Sequence, residues 1–442
     1  MNTRDNKQTI SPAIGTSLHR LALTAIVTTL AFAVFAFAVQ PAAFADDGQH
    51  DNDKHWVGTW SASTQIQLFT PPPTPTFTNQ TLRQIVHVSI GGSTVRVRFS
   101  NAQGTVPLII GAASVGIRTT GVRVGSLRKL TFGGEPSITI PNGAVALSDP
   151  VKLDVDPQAD LAVSLYVPKA SAGSTQLTLS HQTSYVSTTG DFTGKVSMPV
   201  KSTNTSWYWL TGVEVLRSHS SRAVVAFGDS ITEGFNSTTD ANHRWPDFLA
   251  RRLLAHPGTR DVGVLNEAIS GNRVLNDEIG PNAQKRIDRD ALTQAGLAYV
   301  IFLEATNDLG FSQIAPGVFP PGVLLTNVSA DDIIAGDKQF ILRVHQQGAK
   351  IYGATILPFK GASYWDAAAE VKRQTINTWI RTSGMFDAVI DFDAVMRDPS
   401  DPAHMRPAFD SGDDLHPNDA GYAAMGNSID LALFAEDEDN ED

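Results

Sequence analysis

Four short stretches of this chain hold side chains that could do chemistry together. Ser230 follows the apolar run "AVVAF" (223–227), with Gly228 and Asp229 between them. Gly271 follows "VGVLN" (262–266), Asn307 and Asp308 follow "YVIFL" (299–303), and Asp413 and His416 follow "AVIDF" (388–392). A serine hydroxyl is a weak nucleophile and needs a base within hydrogen-bond reach. Histidine titrates near neutrality, which suits His416 to that task. A carboxylate on the same loop can accept a hydrogen bond from the imidazole and fix its tautomer. Asp413 lies three residues before His416, and Asp414, one residue nearer, is the rival. A tetrahedral intermediate carries an oxyanion that needs donors already aimed at it. The backbone amides of Ser230 and Gly271 and the side-chain amide of Asn307 could supply three. The chemistry these types fit is acyl transfer. Taken alone, Ser230 could be only a helix cap, and a lone histidine such as His416 is more often a packed or capping residue. Asp229 and Asp308 read as structural, and Glu304 is open to either reading.

The elements that must position these groups emerge from patterning. Residues 221–435 alternate five short apolar runs with helical periodicity, the fourth being "KIYGATIL" (350–357). Trp245, Phe248, Leu249 and Leu253 recur at helical spacing behind Pro246 at a helix start. A second helix is expected between the cap-like Ser329 and Gly348. Strands alternating with helices imply an α/β domain with a parallel five-stranded sheet covered on both faces. In such sheets, sites gather beyond the carboxyl ends of the strands, which is where all four groups fall. Residues 46–220 differ. "QIVHVSI", "TVRVRFS" and "LAVSLYVP" place apolar residues at every second position, with Gly and Pro between runs. That is an all-β, sandwich-like domain. "PPPTPT" (71–76) reads as a stiff extended loop. Trp56, Trp60, Trp207 and Trp209 read as core or interdomain residues, with Trp207 and Trp209 on one face of a strand and Tyr208 on the other.

"GDSITEG", the glycine of "SGN", "TND" and "DDLHPN", in this order, resemble the four blocks of the SGNH hydrolase superfamily, the GDSL-type esterases and acylhydrolases. The resemblance covers residues 222–434. It implies a flavodoxin-like three-layer fold, a triad of Ser230, His416 and Asp413, and an oxyanion hole of Ser230, Gly271 and Asn307. Its spacing favours Asp413 over Asp414. Ala305 departs from the family, which usually has glycine there. "HWVGTWSASTQ" (55–65) and "SWYWLTGVEV" (206–215) resemble a subgroup with an N-terminal β-rich domain, similar to polysaccharide-associated arylesterases and acylhydrolases. Together these resemblances imply a serine esterase acting on short acyl esters, such as acetyl groups on plant polysaccharide. Two alternatives stand beside it. One is a lipase- or phospholipase-type acylhydrolase using the apolar loop 310–325. The other is a carbohydrate-binding protein with a vestigial hydrolase domain.

Composition narrows the classes. The chain has 442 residues, no cysteine and a formal net charge of −11. Without cysteine there is no disulfide framework, thiolate metal site or cysteine nucleophile. The acidic balance disfavours nucleic acid and anionic membranes as partners, and a small-molecule or polysaccharide ester remains. No cofactor is required and no metal spacing is seen. Residues 1–45 combine Arg4, Lys7 and Arg20, an apolar run at 21–39 and Ala43-Phe44-Ala45. They read as a secretory signal cleaved after Ala45, with an uncleaved anchor as the alternative. A secreted or periplasmic protein without stable membrane insertion is expected, and 436–442 reads as an acidic disordered tail.

Overall fold

The computed structural model describes residues 54–65, 74–277, 279–314 and 325–435. The expected signal segment, residues 315–324 of the apolar loop and the acidic tail lie outside the described residues.

The β-rich part consists mainly of two antiparallel sheets. The five-stranded sheet orders Lys54–Ser61, Leu210–Ser218, Gly92–Ser100 and Val151–Val155, with Val145–Leu147 also pairing to Gly92–Ser100. The six-stranded sheet orders Val200–Asn204, Ser184–Thr189, Gln80–His87, Asp160–Val167, Ala112–Thr120 and Arg123–Leu130. The expected alternation carries the packing. Leu161, Val163 and Leu165 join Val95, Val97, Val213 and Val215 in the main core, while Ala162 packs on the opposite face with Ile85 and Val124. Trp207, Tyr208 and Trp209 are all buried. They do not alternate along one strand as expected. Trp209 has φ of 58°, a left-handed kink between Trp207–Tyr208 and Leu210–Ser218, so its indole packs edge-on to Phe77.

The second part is a parallel sheet of β1 (Arg222–Gly228), β2 (Val262–Ala268), β3 (Leu297–Leu303), β4 (Lys350–Ala354) and β5 (Ala388–Ile390). Its order is β2-β1-β3-β4-β5, the flavodoxin-like order, whose switch point lies between β1 and β3. Both faces of β1 are covered: Val225 and Phe227 belong to one apolar cluster and Val224 and Ala226 to another. The helices that bear on the site are α1 (Ser230–Glu233), α2 (Trp245–Ala255), α3 (Ala283–Ile287), α4 (Thr306–Gly310), α5 (Ala330–Gln346) and α6 (Asp419–Ser428). Pro246 lies in the first turn of α2. Ser329 caps α5, its side chain accepting from the Asp332 N–H, and Gly348 beyond the helix end has φ of 73°. Among the described residues, no helix is long and apolar enough to cross a membrane.

The two parts share an interior. Ala62, just past the first strand, forms a parallel bridge with Asn266 on edge strand β2, and the Gly58 N–H donates to Ala295 O at 2.8 Å. Val57 and Phe227 lie in one contiguous buried cluster, and the described residues form one compact unit.

Candidate active site

Chain order separates Ser230 from His416 by 186 residues, and the strand ends bring them back together. Ser230 opens α1, a single turn whose N-cap is Asp229; the Asp229 carboxylate accepts the Ile231 N–H at 2.9 Å. Because Asp229 does the capping, the Ser230 hydroxyl is available for another partner. Its Oγ lies 2.8 Å from His416 Nε2. The turn is this tight because Gly228 has no side chain: a Cβ there would sit 2.6 Å from Leu303 O.

His416 is carried by the loop that enters α6. Its Nδ1 lies 2.7 Å from Asp413 Oδ2, and its backbone N–H donates to Asp413 Oδ1 at 2.8 Å. Partial burial alone would raise the Asp413 carboxyl. Hydrogen bonds from the His416 ring and backbone, together with electrostatic attraction to that ring, outweigh burial and hold the carboxyl at about 2. Asp414 takes no part. It has φ of 58°, and its backbone N–H donates to Asp410 Oδ1. Phe235 packs its ring 4.4 Å from that of His416.

Gly271 lies beyond β2 with φ of 75°, and a Cβ there would meet Ile279 Cδ1 at 2.3 Å. Among the described residues, neither the Ser230 nor the Gly271 backbone N–H donates to a protein acceptor. Asn307, in α4, donates from Nδ2 to Asn272 O at 2.9 Å and to Asp229 Oδ2 at 3.3 Å. The sequence-selected residues therefore gather at the carboxyl ends of β1, β2 and β3 and on the loop before α6. Such a set can deprotonate a hydroxyl, orient the base and bind a developing oxyanion. Ala305 has φ of 88°, the left-handed region that favours glycine. Asp308 is buried and occupied: its carboxylate accepts the Val274 N–H at 2.8 Å and pairs with Arg273 at 3.3 Å.

Several residues to which the sequence analysis assigned no role also surround the site. Glu233 is buried, and its carboxyl receives the Ser270 hydroxyl beside Gly271. Burial pushes that carboxyl up to about 8, against hydrogen bonds from Ser270 that would lower it. Arg286 lies fully buried behind the strand ends. The β-rich part contributes the loop 180–183. Asp240 accepts from Gln182 Nε2, Thr183 N and Thr183 Oγ1, each at 2.6 Å, and fixes that loop beside Phe235. The His181 ring stands edge-on to Phe235 with centroids 6.4 Å apart. Burial, with Arg244 and His416 nearby, lowers its pKa to about 4. Sequence patterning carries no signal for these residues, since each acts through a contact distant in the chain.

Residues 226–424 match the GDSL-like lipase/acylhydrolase family. No curated protein matches the chain. Similar solved structures include a GDSL-like lipase from Bacteroides thetaiotaomicron, at 19% identity over 48% of this chain and 87% of that one, TM-score 0.33. An acetyl xylan esterase is similar at 16% identity over 47% and 96%, TM-score 0.35. An acetylxylan esterase from Geobacillus stearothermophilus is similar at 18% identity over 49% and 95%, TM-score 0.37.

Proposed function

We propose that this chain, a carboxylic ester hydrolase with a GDSL-like lipase/acylhydrolase domain at 226–424, works through Ser230, His416 and Asp413. Ser230 Oγ attacks the ester carbonyl carbon while His416 Nε2 takes its proton. The N–H groups of Ser230 and Gly271 and the Asn307 amide receive the oxyanion, which displaces the longer Asn307–Asp229 contact. His416 returns the proton to the leaving alcohol, and water activated by the same imidazole releases the acid. Asp413 holds the imidazole in the required tautomer and stays ionised throughout. The reading rests on one observation, the unbroken hydrogen-bond path from Ser230 through His416 to Asp413.

The substrate side of the proposal is a short acyl ester, with acetyl groups on plant polysaccharide as the favoured form. Phe235 packs against His416 on one side of the site, with the clamped loop 180–183 beyond it. The basic, apolar and small-residue order of 1–45 supports action outside the cytoplasm. The test is a hydrolysis screen of aryl esters from acetyl to palmitoyl, run beside acetylated xylan. Turnover that peaks at acetyl and falls with chain length is expected. A maximum at palmitoyl would move the assignment to lipid esters.

A further inference from the structure

Arg286 is heavily bonded beside the site, and no step of the proposed reaction uses it. It is carried by α3 and its side chain is wholly buried. Nη2 donates to Gly228 O at 2.9 Å and to Glu304 at 3.1 Å. Nη1 donates to Glu267 O at 2.7 Å and Nε to Asn272 Oδ1 at 2.7 Å. The guanidinium lies over the Phe227 ring, 3.6 Å from its centroid.

These acceptors share a position in the fold. Gly228 ends β1, Glu267 lies at the end of β2, and Glu304 directly follows β3. Each oxyanion donor is a short step from one of them. Ser230 is two residues past Gly228, and Gly271 precedes Asn272. Asn307 donates to the Asn272 carbonyl. A planar guanidinium presents its N–H donors in a rigid fork, so one side chain fixes the relative positions of all the acceptors it engages.

We infer that Arg286 is the positioning residue of the oxyanion hole, setting the spacing of the Ser230, Gly271 and Asn307 donors by tying three strand ends and Asn272 to one rigid plane. The inference rests on the esterase reading and adds a residue and a role to it. It also gives the β-rich part a share in catalysis. Ser63, from that part, donates its hydroxyl to Glu267 at 2.7 Å and receives Arg286 Nη1 at 3.2 Å. A lysine would keep the charge and lose the fork, so charge and geometry can be separated.

The test compares wild type, Arg286→Lys and Asn272→Ala for kcat and KM on a short aryl ester, for Ki of a trifluoromethyl ketone whose adduct carries the oxyanion, and for thermal stability. Arg286→Lys is expected to lower kcat by about 10²-fold, the scale of losing one oxyanion donor, with KM nearly unchanged. The ketone should weaken in proportion to kcat/KM. Asn272→Ala cuts the link to the Gly271 loop and leaves the backbone carbonyl that Asn307 uses. It should shift the same two quantities in the same direction, and it keeps the inference testable if Arg286→Lys does not fold. Folded variants with wild-type kcat and ketone affinity, whatever their stability, would overturn the inference. A wild type that turns over no ester would instead overturn the reading beneath it.

Discussion

Asp413 and Asp414 are neighbours in the chain and face different tasks. Asp413 receives His416 Nδ1 at 2.7 Å, while Asp414 sits in a left-handed turn at φ of 58° with its N–H bonded to Asp410. The loop before α6 therefore separates two carboxylates that composition cannot tell apart. Asp413→Asn should lower kcat by about 10⁴-fold, the scale for a triad whose imidazole loses its orienting carboxylate. Asp414→Asn should leave kcat unchanged, since asparagine tolerates the left-handed backbone. Steady-state kinetics on one aryl ester checks both, and a reversed order would reassign the orienter.

Ala305 holds φ of 88° two residues before Asn307, the proposed oxyanion donor. An L-residue in that region is strained by about 1–2 kcal/mol, and glycine is not, although glycine loses more freedom on folding. Ala305→Gly should therefore raise stability by up to about 1 kcal/mol with little change in kcat. Denaturant unfolding of the two proteins measures this directly. A clear loss of stability would show that the buried methyl outweighs the backbone strain.

Glu233 gives the protein a pH-dependent stability. Burial raises its carboxyl to about 8 in the folded chain, from an ordinary value near 4.5. Between those two values the folded state holds a proton that the unfolded state has released, so stability falls as pH rises through this window. The contribution is fully present below about pH 4.5 and is lost as pH passes about 8. Thermal midpoints measured from pH 5 to 8 should decline in wild type, and the decline should flatten in Glu233→Gln. Equal slopes would assign the effect to other buried carboxyls, such as Asp308, which burial raises to about 6.

The shared interior makes the two parts inseparable. Val57 of the first strand lies in one buried cluster with Phe227 of β1, and Ala62 bridges to the β2 edge. A fragment of residues 221–435 would expose that apolar surface and an unpaired strand edge. It should be recovered insoluble or as a dye-binding, non-cooperative state. A monomeric fragment with a sharp unfolding transition would contradict this.

Much of the site was legible because its chemistry is local to short motifs: Ser230, Gly271, Asn307, Asp413 and His416 each stand past an apolar run. The parallel sheet was legible for the same reason, since its strands are continuous apolar segments. Arg286 was not, because "AQKRIDRD" (283–290) has the charge pattern of an exposed helix and only tertiary packing buries it. Glu233 sat inside a recognised motif, yet the hydroxyl its buried carboxyl accepts belongs to Ser270, 37 residues away. The strand pairing of the β-rich part and the kink at Trp209 depend on long-range contacts and backbone angles that side-chain periodicity does not encode.

The measurement closest to the central claim labels the protein with a serine-directed phosphonate, maps the adduct, and tracks aryl-acetate turnover in wild type and Ser230→Ala. The account predicts a single adduct at Ser230 and loss of both labelling and turnover in the variant, with folding intact. Turnover by Ser230→Ala at the wild-type rate, or an adduct on another residue, would contradict it.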